Sequence, residues 1–144
     1  MDINDTSNIE QISPKVELIN LEKHGDERGS LIALEPDINV PFDIKRVYYI
    51  FDTKSGVDRG FHAHKKLKQL LICTSGSVDI DVEYGTTKQT YHLDNSSQGL
   101  LIEGLVWRVM KNFKENTVLM VLASEKYSEQ DYIRNYDKFK EMNK

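Results

Sequence analysis

Two histidines separated by one residue carry the clearest chemical signal in this sequence. His62 and His64 lie in the segment RGFHAHKKLKQ, residues 59–69, and on a β-strand residues two apart point to the same side. Phe61 and Ala63 then face the opposite side, so the spacing predicts that both imidazoles point into the interior of a barrel. Because imidazole titrates near neutral pH and can both take and return a proton, the pair is suited to acid–base catalysis.

The same histidines belong to a spacing that binds metal ions in other proteins. The positions of Gly56, His62, His64 and Gly76 resemble the first motif of the cupin family, which has a glutamate ligand between the second histidine and the last glycine. That position holds Gln69 here. A neutral amide is a poorer ligand for a divalent cation than a carboxylate, so the motif has lost one of its ligands.

The second cupin motif is also incomplete. It should supply a further histidine from a later strand, but residues 99–110 contain none and carry Arg108, whose guanidinium cannot bind a metal ion. His24 and His92 lie in a turn and in a polar strand outside this register. We therefore expect no metal and no cofactor. The alternative to catalysis is that the neighbouring histidine pair is a remnant of the core, satisfied by its surroundings.

Arg59 is a candidate for binding an anion. It lies three residues before His62, on the other side of a regular strand, but Gly60 permits a β-bulge that would turn it inward. Its planar guanidinium would then suit a diphosphate. A salt bridge at the rim of the site is the alternative.

Composition narrows the class of protein. The 144 residues fit one domain, 1–144, with a polar extension at 1–14, and the formal charge of −4 with scattered lysines and arginines disfavours nucleic-acid binding. Cys73 is the only cysteine, so no intramolecular disulfide or cysteine zinc site can form. No signal peptide or long apolar run is apparent, and we expect a cytoplasmic protein without a membrane partner.

The elements that must position the histidines are predominantly strands. Between residues 16 and 123, short apolar runs alternate with turn clusters, a pattern typical of an all-β sandwich or barrel. Ser128 and Asp131 then resemble a capping box, and apolar residues follow at helical spacing. This predicts an amphipathic C-terminal helix at 128–142 that packs against the barrel.

Four segments together resemble the dTDP-4-oxo-6-deoxyglucose 3,4-ketoisomerases, also called the WxcM-like family. They are IKRVYYI at 44–50, RGFHAHKK at 59–66, VWR at 106–108 and DYIRNYD at 131–137. Only the first dozen residues lack a counterpart. A lone His-x-His is weak support, whereas four such segments in order are specific.

The resemblance implies a cupin double-stranded β-helix, or jelly-roll, barrel, a homodimer and no cofactor. It implies an isomerase that moves the ketone of dTDP-4-keto-6-deoxyglucose from C4 to C3 through an enediolate. The product would supply 3-amino-3,6-dideoxy sugars for bacterial surface glycans such as the O-antigen of lipopolysaccharide.

Catalytic roles come from a further resemblance, to the dTDP-4-dehydrorhamnose 3,5-epimerases, whose Arg-Gly-Leu-His segment corresponds to residues 59–62. It implies that His62 is the base that works on carbon and His64 its partner on the oxygens, although the two roles could be exchanged. It also implies that Tyr49 is the inward tyrosine near the enediolate, which leaves Tyr48 to packing.

Substrate-binding roles are implied for four residues. Besides Arg59, the resemblance places Arg28 and Arg108 at the sugar end of the pocket, at positions where the family varies, and Gln69 is expected to contact the substrate. Alternatively, Arg28 only closes a turn and Arg108 only pairs with Glu103. Whether the product is the gluco or the galacto epimer stays open.

Other functions also stay open on the sequence. A 3,5-epimerase would share the fold, the base and the nucleotide, but it needs an acid tyrosine from a later strand and an acidic partner for its histidine, and neither has an obvious match. A non-catalytic sugar-binding cupin and a metal-dependent cupin dioxygenase are the remaining alternatives.

Overall fold

The computed structural model describes residues 12–144, so most of the predicted extension at 1–14 lies outside the described residues. A short 3-10 helix, Glu129–Asp131, and one α-helix, α1 (Tyr136–Met142), follow most of the strands of this part of the chain. The strands are β1 Lys15–Asn20, β2 His24–Asp26, β3 Gly29–Leu31, β4 Arg46–Ile50, β5 Arg59–His64, β6 Lys68–Ser75, β7 Val78–Tyr84, β8 Thr87–Leu93, β9 Gln98–Glu103, β10 Trp107–Lys111, β11 Val118–Ala123 and β12 Tyr132–Ile133.

The strands form two five-stranded sheets and a small hairpin. The first sheet has the order β1-β9-β6-β11-β4, the second β12-β5-β10-β7-β8, and all pairings in both are antiparallel. Because each sheet takes strands from distant parts of the chain, the polypeptide crosses repeatedly from one sheet to the other, as in a jelly roll. The prediction of an all-β cupin barrel with a short C-terminal helix is confirmed.

Apolar side chains of both sheets meet between them and form the core. In β7, Val78, Ile80 and Val82 are buried at alternate positions, and they pack with residues such as Leu100 of β9 and Leu119 of β11. Burying a side chain of this size contributes about 1.5–3 kcal/mol relative to leaving it exposed. The alternation of apolar and polar side chains along each strand therefore decides which face of the strand turns inward.

The β-bulge that Gly60 permits is present in β5. Arg108 of β10 pairs with His62 and the next residue of β10 pairs with Gly60, so Phe61 is the extra residue. Both bulge residues have left-handed backbones, with φ of 98° at Gly60 and 56° at Phe61. At a non-glycine residue this conformation costs about 1–3 kcal/mol. The extra residue reverses the alternation of side chains along β5. Arg59 and His62, which would lie on opposite sides of a regular strand, therefore line the same cavity.

The predicted start of the C-terminal helix is wrong. The helix begins at Tyr136, and its N-cap is Asn135, whose side chain accepts a hydrogen bond from the backbone N–H of Lys138 at 2.9 Å. Tyr132 and Ile133 form β12 instead, because they pair with the last two residues of β5. The expected packing against the barrel is confirmed for the helix that does form.

The helix covers the outer side of the histidine strand. Phe139 is fully buried in a cluster with Trp107 and Ala63, and Tyr136 and Met142 pack against this cluster. The helix thus covers the back of β5, while the other face of the strand meets the site. Within residues 12–144, no helix combines the length and the apolar character that crossing a bilayer requires.

Candidate active site

Two adjoining cavities meet at the histidine strand. The first, which we call the arginine-lined cavity, has a volume of about 440 Å³ and is lined by three arginines together with His62 and Tyr48. The second, the lysine-lined cavity, has about 480 Å³ and is lined by three lysines together with His64 and Asp131. Tyr132 and Arg46 line both cavities.

The imidazoles of His62 and His64 are neighbours, as the spacing predicts. Their ring centroids are 4.8 Å apart with an angle of 81° between the planes, and His64 is 1% exposed. The two flanking residues face away, Ala63 into the cluster beneath α1 and Phe61 toward solvent. Although both imidazoles are on one side of the strand, each lines a different cavity.

Asp131 fixes the tautomer of His64. One of its carboxylate oxygens is 3.0 Å from His64 Nδ1, and the other accepts the backbone N–H of Lys66 at 3.0 Å. Because an ionised carboxylate only accepts hydrogen bonds, His64 Nδ1 must carry the proton. Nε2 therefore keeps its lone pair, and it is buried without a hydrogen-bond partner within the described residues. Nε2 is the basic atom of His64.

Both histidines are held in the neutral form. Burial, reinforced by the positive charge of Arg108 and by the repulsion that would arise if His64 were also protonated, lowers the pKa of His62 to about 3. Burial also lowers the pKa of His64 to about 4, although the hydrogen bond to Asp131 acts in the opposite direction. At neutral pH the site thus holds two neutral imidazoles, which can act as bases without first losing a proton.

Arg108 and Gln69 lie behind the cavity walls rather than in them. Arg108 is 2% exposed and donates to the side-chain oxygen of Gln69 and to the carbonyl of Val106, at 3.1 Å for the latter. Glu103 is not its partner. Because a guanidinium only donates, the Gln69 amide nitrogen must face the other way, where it donates to the Tyr48 hydroxyl at 3.1 Å. The expected direct substrate contacts are therefore absent from the lining of either cavity.

The orientation predicted for Tyr49 is wrong. Both tyrosines line the arginine-lined cavity, but Tyr49 is 63% exposed, whereas Tyr48 is half-buried and its hydroxyl accepts a hydrogen bond from the Gln69 amide. Tyr48 and Tyr49 are consecutive on β4 and face opposite sides of the sheet, so an assignment displaced by one residue exchanges the two faces. Burial raises the pKa of Tyr48, so its hydroxyl keeps its proton and can donate it.

Three arginines surround the arginine-lined cavity. Arg59 is there as predicted, and Arg46 and Arg134, which the sequence reasoning missed, complete the set. The Arg46 guanidinium lies 4.7 Å from the Tyr48 ring, and that of Arg134 lies 4.1 Å from the Tyr132 ring. Both missed residues belong to the segments 44–50 and 131–137, which is the signal that could have identified them.

Arg28 is not brought to the histidines within one chain. It belongs to the hairpin of β2 and β3, where its guanidinium pairs with Asp26 at 2.6 Å and its side chain is 86% exposed. It lines neither of the two cavities. This arrangement matches the alternative in which Arg28 closes a turn.

The donor atoms around the histidines do not suit a metal ion. In the part of the chain that the structure describes, no three side chains of the types His, Cys, Asp and Glu come together. The two cupin positions that would complete a metal site hold Gln69 and Arg108, which bind each other. The buried positive charge of Arg108 would also repel a cation.

Comparison with known proteins gives a consistent result. The family model described as FdtA, WxcM-like, C-terminal matches residues 14–144. A TDP-4-oxo-6-deoxy-alpha-D-glucose-3,4-oxoisomerase of Aneurinibacillus thermoaerophilus is 52% identical over 123 residues, which cover 85% of this chain and 88% of the relative.

Two solved structures are similar as well. QdtA, a sugar 3,4-ketoisomerase of Thermoanaerobacterium thermosaccharolyticum in complex with TDP, has 48% identity and a TM-score of 0.87 over 89% of this chain and 93% of its own. WlaRB, a TDP-quinovose 3,4-ketoisomerase of Campylobacter jejuni, has 51% identity and a TM-score of 0.83 over 86% of this chain and 95% of its own.

Proposed function

Because the chain belongs to the FdtA family of WxcM-like proteins, we propose that it is an isomerase that moves the ketone of dTDP-4-keto-6-deoxyglucose from C4 to C3. The relative at 52% identity is named for this reaction, and QdtA binds TDP. The observation that carries the proposal is a pair of neutral imidazoles, with ring centroids 4.8 Å apart, beside a cavity lined by arginines.

The reaction needs two proton-handling groups. The proton on C3 must be removed, the resulting enediolate must be held, a proton must pass from the oxygen on C3 to the oxygen on C4, and C4 must then be protonated. A neutral imidazole can perform each of the two transfers, since it takes a proton and later returns it. No electron acceptor or donor is needed because the ketone and the hydroxyl exchange places within one molecule.

Roles for the histidines follow from their partners. We assign His62 as the base that removes the C3 proton, because it lines the arginine-lined cavity in which the sugar would lie. We assign His64 to the two oxygens of a sugar that reaches the junction of the two cavities, where its imidazole lies against that of His62. Asp131 keeps the proton on Nδ1 and leaves Nε2 free to take a proton from one oxygen and return it to the other.

Tyr48 takes the place that the sequence suggested for Tyr49. Its hydroxyl accepts a hydrogen bond from Gln69, so its own proton remains available to the cavity. Gln69 is in turn held by Arg108. We propose that this chain of contacts directs the Tyr48 proton at the negative oxygen of the enediolate, so that Gln69 and Arg108 act on the substrate through Tyr48 and through charge.

The diphosphate of the substrate would be bound by arginines. Arg59 and Arg46 line the arginine-lined cavity, and the structure records no carboxylate bound to either within residues 12–144. Two free guanidinium groups suit the charge and shape of a diphosphate. Arg134 lies in the same cavity, but Glu129 binds it with two hydrogen bonds at 2.8 and 2.9 Å, which neutralises it.

The assembly, the location and the pathway are proposals of the same kind. We propose a single-domain, cytoplasmic homodimer that binds neither nucleic acid nor membranes. Arg28 would reach a sugar only if the hairpin of β2 and β3 met a partner's cavity, and its substrate role depends on that assembly. The product would supply 3-amino-3,6-dideoxy sugars for surface glycans such as the O-antigen of lipopolysaccharide.

One experiment tests the reaction. Purified protein is incubated with dTDP-4-keto-6-deoxyglucose, and the positions of the ketone and of any solvent deuterium are followed by NMR in D₂O. We expect the ketone to appear at C3 and no exchange at C5. Exchange at C5 would indicate a 3,5-epimerase, and binding without any conversion would indicate a non-catalytic sugar-binding protein.

A further inference from the structure

We propose that residues 2–11, which we call the acidic arm, bind over the rim of the lysine-lined cavity of their own chain and keep free anions from occupying it. The proposal goes beyond the reaction described above and does not depend on it, because it concerns lysines to which that reaction assigns no role. With this rim occupied, the arginine-lined cavity is left open for the diphosphate of a substrate.

The lysine-lined cavity has an excess of positive charge, although the formal charge of the chain is −4. Its cations are Lys45, Arg46, Lys66 and Lys126, and its carboxylates are Glu125 and Asp131. Glu125 pairs with Lys45 at 3.7 Å, and Asp131 pairs with His64 at 3.0 Å. Within residues 12–144, neither Lys66 nor Lys126 has a carboxylate partner, and both are exposed. The rim therefore offers two exposed ammonium groups to an anionic partner.

The acidic arm has the opposite charge. Residues 2–11 contain the carboxylates Asp2, Asp5 and Glu10 and no lysine, arginine or histidine, so their formal charge is −3. Two isoleucines of the acidic arm add apolar side chains, and the rim of the cavity includes Tyr127, an aromatic residue that is 58% exposed. The charge and the apolar character of the acidic arm thus both match the rim.

The part of the chain that the structure describes begins beside this cavity. The backbone N–H of Ile12 donates to the carbonyl of Lys65 at 3.1 Å, and the next residue, Lys66, lines the cavity. The carbonyls of Ile12 and Ser13 pack so closely on Gly104 that a Cβ at this glycine would collide with them. Ten residues span at most about 33–36 Å when extended, so an acidic arm that starts here can reach the whole rim.

Attachment to the same chain decides which anion occupies the rim. An exposed ion pair is weak because water and salt screen it, so a phosphate ion in solution gains little from two exposed ammonium groups. A short tethered segment instead competes at an effective concentration on the order of millimolar, and this segment brings three carboxylates at once. The acidic arm therefore displaces dilute free anions from these lysines.

Acetylation of lysines, followed by mass spectrometry, tests whether the acidic arm covers the rim. In a variant that lacks residues 2–11, Lys66 and Lys126 should react roughly two- to fivefold faster than in the full chain, which is the protection that weak exposed ion pairs can give. Lys88 and Lys140 are exposed, do not line this cavity and serve as controls, so their rates should not change. Equal rates at Lys66 and Lys126 with and without residues 2–11 would overturn the proposal.

A charge variant and an added anion show whether charge holds the acidic arm in place. Asp2→Asn/Asp5→Asn/Glu10→Gln keeps the length of the acidic arm, so Lys66 and Lys126 should react as fast as in the shortened chain. Inorganic diphosphate should slow both reactions in the shortened chain and leave them unchanged in the full chain. If the shortened chain does not fold by circular dichroism, the charge variant decides, and rates equal to those of the full chain overturn the proposal.

Carbodiimide cross-linking identifies the occupant of the rim. In a mixture of ¹⁴N- and ¹⁵N-labelled protein, we expect amide links from the carboxylates of the acidic arm to Lys66 or Lys126 within one chain. Links only between chains would place a partner's segment on the rim, and links spread evenly over all exposed lysines would show that the acidic arm has no site, so either result contradicts the proposal. Because none of these measurements needs turnover, their failure would leave the proposed reaction unaffected.

Discussion

Replacing Asp131 by asparagine should separate the reactivity of His64 from its position. The carboxylate accepts the proton on His64 Nδ1 at 3.0 Å and is half-buried, so the charge of this hydrogen bond is only partly screened by water. An amide in its place can donate to Nδ1 as well as accept from it. When it donates, the proton moves to Nε2, and the atom that should work on the sugar oxygens loses its lone pair.

The size of the effect follows from the strength of this contact. A hydrogen bond to a charged group contributes about 1.5–3 kcal/mol, and about 1.4 kcal/mol corresponds to a factor of ten. The reactive tautomer should therefore become roughly 10- to 100-fold less populated relative to its competitor. We expect kcat to fall by this factor while KM changes little, because Asp131 does not line the arginine-lined cavity.

The assay is steady-state turnover of dTDP-4-keto-6-deoxyglucose, together with ¹⁵N NMR of the His64 ring to observe the tautomer. Asp79→Asn is the matched control, since Asp79 binds His92 Nδ1 at 2.6 Å in a second histidine–aspartate pair that lies in neither cavity. That variant should keep wild-type activity. If Asp131→Asn also stays within twofold of wild type, or if its His64 tautomer is unchanged, the reasoning is refuted.

Three further predictions concern the same site. His62→Asn should lower kcat by about 10²–10⁴, the contribution of one acid–base group, while calorimetry shows unchanged TDP binding; retained activity would contradict its role. Tyr48→Phe should reduce turnover and Tyr49→Phe should not. The opposite result would support the catalytic role that the sequence predicted for Tyr49. Because the pKa values of His62 and His64 are lowered from 6.5 to about 3 and about 4, the unfolded chain binds protons that the folded chain does not as pH falls below 6.5. The free energy of unfolding, measured with urea, should therefore be highest above pH 6.5 and decrease as the pH falls toward 4. A profile that does not change with pH would show that these histidines are not held buried in the neutral form.

Local patterns in the sequence predicted a substantial part of the molecule. The period of two placed His62 and His64 on one side of β5, and a glycine beside Arg59 indicated the bulge that gives this arginine a place in the same cavity. These features depend on residues within a few positions of one another, which is why a sequence alone reveals them.

Errors arose where a local signal had two possible structural meanings. The spacing of Ser128 and Asp131 matches a capping box, but pairing of the following residues with β5 made a strand there and turned the carboxylate toward His64. At Tyr48 and Tyr49 a displacement of one residue exchanged the inward and the outward side chain. In the first case the choice was decided by pairing with β5, a strand that is distant in sequence.

The sequence by itself determined that this chain is an all-β barrel with an inward histidine pair suited to proton transfer. Only the tertiary structure decided how those histidines differ. Asp131 lies 67 residues from His64, and Gln69 lies 39 residues from Arg108, so these contacts exist only once the sheets have closed. Tautomer, charge state and the separation of the two cavities depend on such contacts, because the energy of a buried proton is set by the groups that surround it in space.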